Sequence, residues 1–152
     1  MKLNRRAILA LFSASAVTLV APMAAAKSPP VYTEDSIAID GTDTVAYFSL
    51  GKPVAGSRAH SVDWNGSTWL FASAENAATF SSDPEKYAPQ YGGYCAFAMA
   101  RGYVAPTEPE AWTIVDGKLY LNFNLEVRTK WQADIPGYIK KADGHWPAPL
   151  EN

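Results

Sequence analysis

The sequence predicts a small α+β domain. Two Asx-Gly dipeptides, Asn65-Gly66 and Asp116-Gly117, each lie between short apolar or aromatic runs. That is the pattern of a β-hairpin with a type I′ turn. Ser73, the Asp83-Pro84 pair, Asn124 and Pro136 each open a stretch with helical spacing. Ser, Asp and Asn accept hydrogen bonds from the free N–H groups of a first helical turn, and Pro suits its first position. Hairpins and short helices cannot bury their apolar faces alone, so two small hairpins with helices packed on them make one domain.

The elements follow in order. Residues 27–36, with Pro29 and Pro30, form an extended lead-in. Ile37-Ala38-Ile39 and Val45-Ala46-Tyr47-Phe48 read as short strands around Gly41, and Gly51-Lys52-Pro53 as a turn. Ser61 to Trp64 and Thr68 to Phe71 form the first hairpin. Ser73 caps a helix from Ala74 to about Ser81, with Phe80 facing the sheet, and Asp83-Pro84 starts a further turn that ends near Tyr87. Gly92-Gly93 breaks the chain before a short apolar helix that Cys95 opens and Gly102 ends. Pro106 to Glu110 is a loop. Trp112 to Val115 and Lys118 to Leu121 form the second hairpin. Asn124 caps a helix to about Ala133, Pro136 opens a last helix to about Lys141, and residues 148–152 are a tail anchored by Trp146-Pro147.

Residues 1–26 read as an export signal. Lys2, Arg5 and Arg6 form a positive start, Ala7 to Val20 carries no charge, and Ala24-Ala25-Ala26 offers a small-residue cleavage site before Lys27. Asn4-Arg5-Arg6-Ala7-Ile8-Leu9 has the form of a twin-arginine signal. The apolar run is short for a bilayer span, so no stable membrane anchor is expected. The expected product is soluble and periplasmic. Loss of the signal takes thirteen basic residues to ten against fifteen acidic ones, a formal charge of −5. An acidic chain without a basic cluster speaks against nucleic acid as a partner. Five Trp, eight Tyr and six Phe supply a large aromatic core, which is how an exported domain with one cysteine stabilises itself without disulfides.

That cysteine is the sharpest chemical feature. Cys95 follows Tyr91-Gly92-Gly93-Tyr94, and Met99 lies four residues on, hence on the same helix face. A thiolate and a thioether side by side suit copper(I) or a similar thiophilic ion, and His60 or His145 would complete a trigonal or tetrahedral set. The metal candidates are therefore Cys95, Met99 and His60, with a copper ion as the ligand. Zinc would need a carboxylate besides these. Alternatively, Cys95 is a redox thiol: a helix N-terminus lowers a thiol pKa, and Tyr91 and Tyr94 are placed to hydrogen-bond a thiolate or sulfenate. With no second Cys, turnover would need an external thiol. A third possibility is an accessory module, with Trp64, Trp69 and Trp112 as a platform or simply as core. No Ser-His-Asp set, paired carboxylates, phosphate loop or His-Glu-x-x-His motif points to an enzyme. The expected partner is a metal ion or a periplasmic protein.

Trp64-Asn65-Gly66-Ser67-Thr68-Trp69-Leu70-Phe71, Phe80 and Asp83-Pro84-Glu85-Lys86-Tyr87 together resemble the YHS domain. The runs Val45-Ala46-Tyr47-Phe48, Tyr91-Gly92-Gly93-Tyr94-Cys95-Ala96 and Gly117-Lys118-Leu119-Tyr120-Leu121-Asn122, with Trp146-Pro147, resemble its exported bacterial branch, so residues 37–147 form the YHS-like unit. The resemblance implies metal handling, since YHS domains occur beside copper-transport ATPases. Metal-binding members carry cysteines at the positions of Ala46, Ala72 and Asn76, so the resemblance implies that the usual thiolate set is absent here. Thr42 and Thr44 replace the Tyr and Pro of the branch's Gly-Tyr-Asp-Pro-Val-Ala-Tyr-Phe motif.

Overall fold

The computed structural model describes residues 26–152. The export signal read from residues 1–26 lies outside them save for Ala26. The elements run β1 (Thr33–Glu34), β2 (Ile37–Ala38), α1 (Thr44–Ser49), β3 (Ser57–Trp64), β4 (Ser67–Phe71), α2 (Ala74–Ser82), α3 (Pro84–Tyr87), α4 (Ala96–Met99), β5 (Trp112–Val115), β6 (Lys118–Leu121), α5 (Leu125–Gln132) and α6 (Ile135–His145). Among the described residues no helix is long and apolar enough to cross a membrane.

The α+β class holds, with a larger first sheet than two hairpins require. Its strand order is β1-β2-β4-β3, and β2 joins β4 in parallel through Ile37 and Thr68. The β5–β6 hairpin forms a second sheet. Both predicted turns have the paired positive φ angles of type I′: Asn65 at 50° with Gly66 at 78°, and Asp116 at 51° with Gly117 at 75°. Ser73, Asp83 and Asn124 cap as expected, their side chains accepting from the N–H groups of Asn76, Lys86 and Val127.

Two expected strands are corrected. Val45 to Phe48 lies inside α1, because Asp43 caps that segment through Oδ1, which accepts from the N–H groups of Val45 and Ala46. A satisfied helix start outweighs the modest β preference of Val, Tyr and Phe. Ile39 leaves the strand for a 3₁₀ turn, with φ at 51° on Ile39 and 52° on Asp40.

Two apolar cores flank the second hairpin, and the period-2 alternation of β6 divides it between them. Leu119 and Leu121 join Val45, Tyr47, Trp69, Phe71 and Phe80 in the first. Tyr120 joins Tyr91, Met99 and Trp131 in the second. Trp69 is buried and stacks 4.8 Å from Phe80, while the half-buried Trp64 and Trp112 pack on the same core. The tryptophans are core, not a platform. Gly92 and Gly93 hold the lead-in against the second half. A Cβ on Gly92 would stand 2.0 Å from the Pro30 carbonyl oxygen, and one on Gly93 2.3 Å from Ile39 Cδ1. Only glycine fits these approaches at the positive φ values found there.

Candidate functional site

Cys95 is the N-cap of α4 and is fully buried. Its Sγ accepts from the Ala98 N–H at 3.5 Å, and its S–H donates to Asn122 Oδ1 at 3.6 Å. The same Oδ1 accepts from the Phe97 N–H at 3.1 Å. Asn122, the residue after β6, thus ties the second hairpin to the start of α4. Its Nδ2 has no partner. Cys95 also floors a cavity of about 280 Å³. Phe97 and Ala98 of α4, Tyr103 and Ala105 of the following loop, and Phe123 and Val127 beside the start of α5 form its walls.

The expected lowering of the thiol pKa is reversed. Burial pushes the Cys95 thiol up, against the opposing pull of the backbone N–H groups of Ala98, Phe123 and Phe97. Charging a sulfur away from water costs more than three N–H dipoles and a four-residue helix return. The two tyrosines expected to serve the sulfur are engaged elsewhere. Tyr91 donates its hydroxyl proton to Asp143 Oδ1 at 2.8 Å, and Tyr94 to the Pro29 carbonyl at 2.8 Å. These features make Cys95 a neutral, hydrogen-bonded thiol and weaken the redox alternative.

Met99 lies one turn after Cys95, its N–H donating to the Cys95 carbonyl at 2.9 Å. Its side chain is buried in the second core. His60 lies within β3, which begins at Ser57 and not at the expected Ser61, and is half-buried. That strand packs on β4 and α2, which carry neither sulfur. The exposed His145 ring rests beside Gly102, beyond the opposite end of α4 from Cys95. Among the described residues no group of three or more His, Cys, Asp and Glu side chains is gathered as ion ligands.

The positions where the family resemblance places cysteines do meet in space, and they meet on a residue that sequence reasoning passed over. Asp43 is fully buried. Its Oδ1 accepts from the N–H groups of Val45 (3.0 Å) and Ala46 (3.2 Å). Its Oδ2 accepts from the Ala72 N–H at 2.9 Å and from Asn76 Nδ2 at 2.8 Å. Residues 46, 72 and 76 therefore surround one carboxylate. A metal would need donor atoms aimed inward at this point, but the groups present are N–H donors that carry positive partial charge. They fit an anion and do not fit a metal ion.

The YHS domain family matches residues 45–91, so the chain carries a YHS domain there. No curated protein and no solved structure matches. The matched span includes α1, the first hairpin, α2 and α3, and stops before Cys95.

Proposed function

We propose that this protein, built around a YHS domain at residues 45–91, is an exported, periplasmic metal-handling protein whose cargo is copper(I), taken up at Cys95. YHS domains are associated with heavy-metal handling, which supports the general role. One observation carries the choice of residue: the single thiol of the chain floors an apolar cavity, hydrogen-bonded and shielded from bulk water. Soft sulfur donors in such surroundings select copper(I) over harder ions. A lone thiol without a gathered ligand set suits an ion that is passed on more than one that is kept. Met99, one turn away, is the second sulfur in this proposal, while His60, on a strand that packs on β4 and α2, stands apart from both.

The chemistry asked of Cys95 is loss of its proton. The S–H now points to Asn122 Oδ1, and the Ala98 N–H remains to stabilise the sulfur once it is charged. The test is elemental analysis of protein from its native compartment beside Cys95→Ser, with copper(I) titration against a competing chelator. About one equivalent of copper that disappears with Cys95→Ser is expected. Absence of metal in both proteins, together with no copper(I) uptake from the chelator, overturns the proposal.

A further inference from the structure

The cavity at Cys95 opens beside a free cation that uptake of a metal ion leaves unused. We infer that it binds a single-chain anionic amphiphile, in chemical class a medium-chain fatty carboxylate, with the chain inside and the carboxylate on Arg101 at the rim. Neither a metal nor a thiolate takes part. The volume of about 280 Å³ holds a chain of roughly ten carbons, scaled from the ~150 Å³ at which a dry protein cavity accepts benzene. A phospholipid with two long chains exceeds it. The walls carry no charged side chain, so a charged head group keeps its hydration only outside them.

Two observations define the two ends of the ligand. The first is the apolar mouth. Among the described residues four large apolar side chains are exposed, and two of them, Tyr103 at 51% and Phe123 at 45%, line this one cavity. Such side chains scattered singly are ordinary, but a pair on one apolar cavity marks a binding site. The second is the charge beside it. The Arg101 guanidinium carbon stands 5.5 Å from the centre of the Phe97 ring, which is part of the cavity wall. The Arg101 N–H donates to the carbonyl of Ala98, a second wall residue, at 2.9 Å. The Arg101 side chain is exposed and joins neither ion pair formed among the described residues. On the α5 side the cations are engaged: Lys130 pairs with Glu126, and Arg128 donates to Thr113 Oγ1. A second cation extends the positive edge beside Arg101. Tyr138 stacks 5.1 Å from Phe97, and Lys141 Nζ lies 5.8 Å from the centre of the Tyr138 ring. An arginine held over a ring, without a carboxylate of its own, presents a planar fork of donors that matches a carboxylate head.

The test titrates the metal-free protein with decanoate, with its neutral analogue 1-decanol and with decylammonium, followed by ¹H–¹⁵N NMR. Decanoate is expected to bind about fivefold more tightly than decanol, which is what an exposed ion pair supplies at most. Decylammonium is expected to bind more weakly than either. Shifts are expected to centre on Phe97, Ala98, Arg101, Phe123 and Val127. Arg101→Gln, at an exposed position, is expected to bring decanoate down to the affinity of decanol and to leave decanol unchanged. Arg101→Lys is expected to restore part of the difference. Val127→Trp fills the cavity and is expected to abolish binding of all three. If that variant fails to fold, the exposed pair Tyr103→Ala and Phe123→Ala is expected to weaken decanoate and decanol alike, about tenfold. No shifts at saturating decanoate, shifts spread over the chain, equal affinity for decanoate and decanol, or a preference untouched by Arg101→Gln would each overturn the inference. Binding to phosphatidylglycerol vesicles without binding to free decanoate would also overturn it and assign the patch to a membrane surface. Copper(I) uptake is read with Cys95→Ser, which leaves Arg101 in place, so either reading can fail without the other.

Discussion

Replacing Asp43 by Ala tests the carboxylate knot. The side chain is fully buried and receives four hydrogen bonds, from the N–H groups of Val45, Ala46 and Ala72 and from Asn76 Nδ2. The Ala46 N–H keeps a second acceptor, the Asp43 carbonyl at 3.2 Å, so the substitution orphans three donors. A hydrogen bond to a charged group contributes about 1.5–3 kcal/mol, and a buried donor left unpaired costs about 1–3 kcal/mol. Ala72 is exposed and Asn76 half-buried, so water recovers part of that loss. Three donors at the low end of the range give a destabilisation of about 4 kcal/mol. That is a large share of the 5–15 kcal/mol typical of a folded domain. It corresponds to a drop in midpoint of roughly 15 °C for a domain of this size.

Asp43→Asn sharpens the test, since it keeps shape and removes charge. However the amide is turned, one NH₂ faces donors, and a loss of about 2–3 kcal/mol is expected. Urea unfolding followed by circular dichroism measures both, with Asn76→Ala to close a double-mutant cycle. A cost below about 1 kcal/mol for Asp43→Ala, or none for Asp43→Asn, would refute the view that these bonds hold α1 to the β4–α2 junction.

Four other outcomes follow. Thr44→Pro should stabilise by about 1 kcal/mol, read as a midpoint raised by a few degrees, because Pro suits N1, the buried Thr44 hydroxyl has no partner, and Asp83-Pro84 already uses this arrangement. Gly92→Ala should cost about 3 kcal/mol or more in urea unfolding, given the strained φ and the Pro30 carbonyl oxygen in the way. Because the folded thiol is pushed up, the folded state holds its proton after the unfolded chain has lost it; wild type should therefore lose stability relative to Cys95→Ser as pH rises past about 8.5, in unfolding titrations across that range. Copper(I) must displace the same proton, so its affinity should rise about tenfold per pH unit from neutrality up to the thiol pKa, measured by chelator competition.

What was legible in the chain was local. Both type I′ turns, the Ser73, Asp83 and Asn124 caps and the Cys95 cap position rest on contacts within four residues, which spacing and residue type report directly. Long-range pairing was not legible. Nothing around Ile37 announces a parallel bond to Thr68, so the four-stranded sheet was missed. The α1 segment looked like a strand because Val, Tyr and Phe favour one, although Asp43 stood at its head as an available cap. Asn122 gave no signal at all, since its partners Cys95 and Phe97 lie 27 and 25 residues away. The thiol pKa was misjudged for the same reason. The helix start is local and visible, whereas the burial that outweighs it comes from the tertiary fold.

The two candidate centres sit on opposite sides of that hairpin, and this separates what the family supplies from what the rest of the chain adds. Asp43 lies two residues before the YHS match, and Ala46, Ala72 and Asn76, which surround its carboxylate, lie inside it. Cys95, its Asn122 partner and the cavity walls through Val127 all lie beyond residue 91. The hinge between them is β6, whose Leu119 and Leu121 enter the first core while Tyr120 enters the second and Asn122 follows at its end. The positions at which the family resemblance implies cysteines surround here a hydrogen-bonded carboxylate, and the soft sulfur lines a pocket beyond the matched span. A role for Cys95 therefore does not follow from the YHS match, which stops at residue 91. It depends on an apolar cavity and a neutral thiol that this chain assembles outside the matched span.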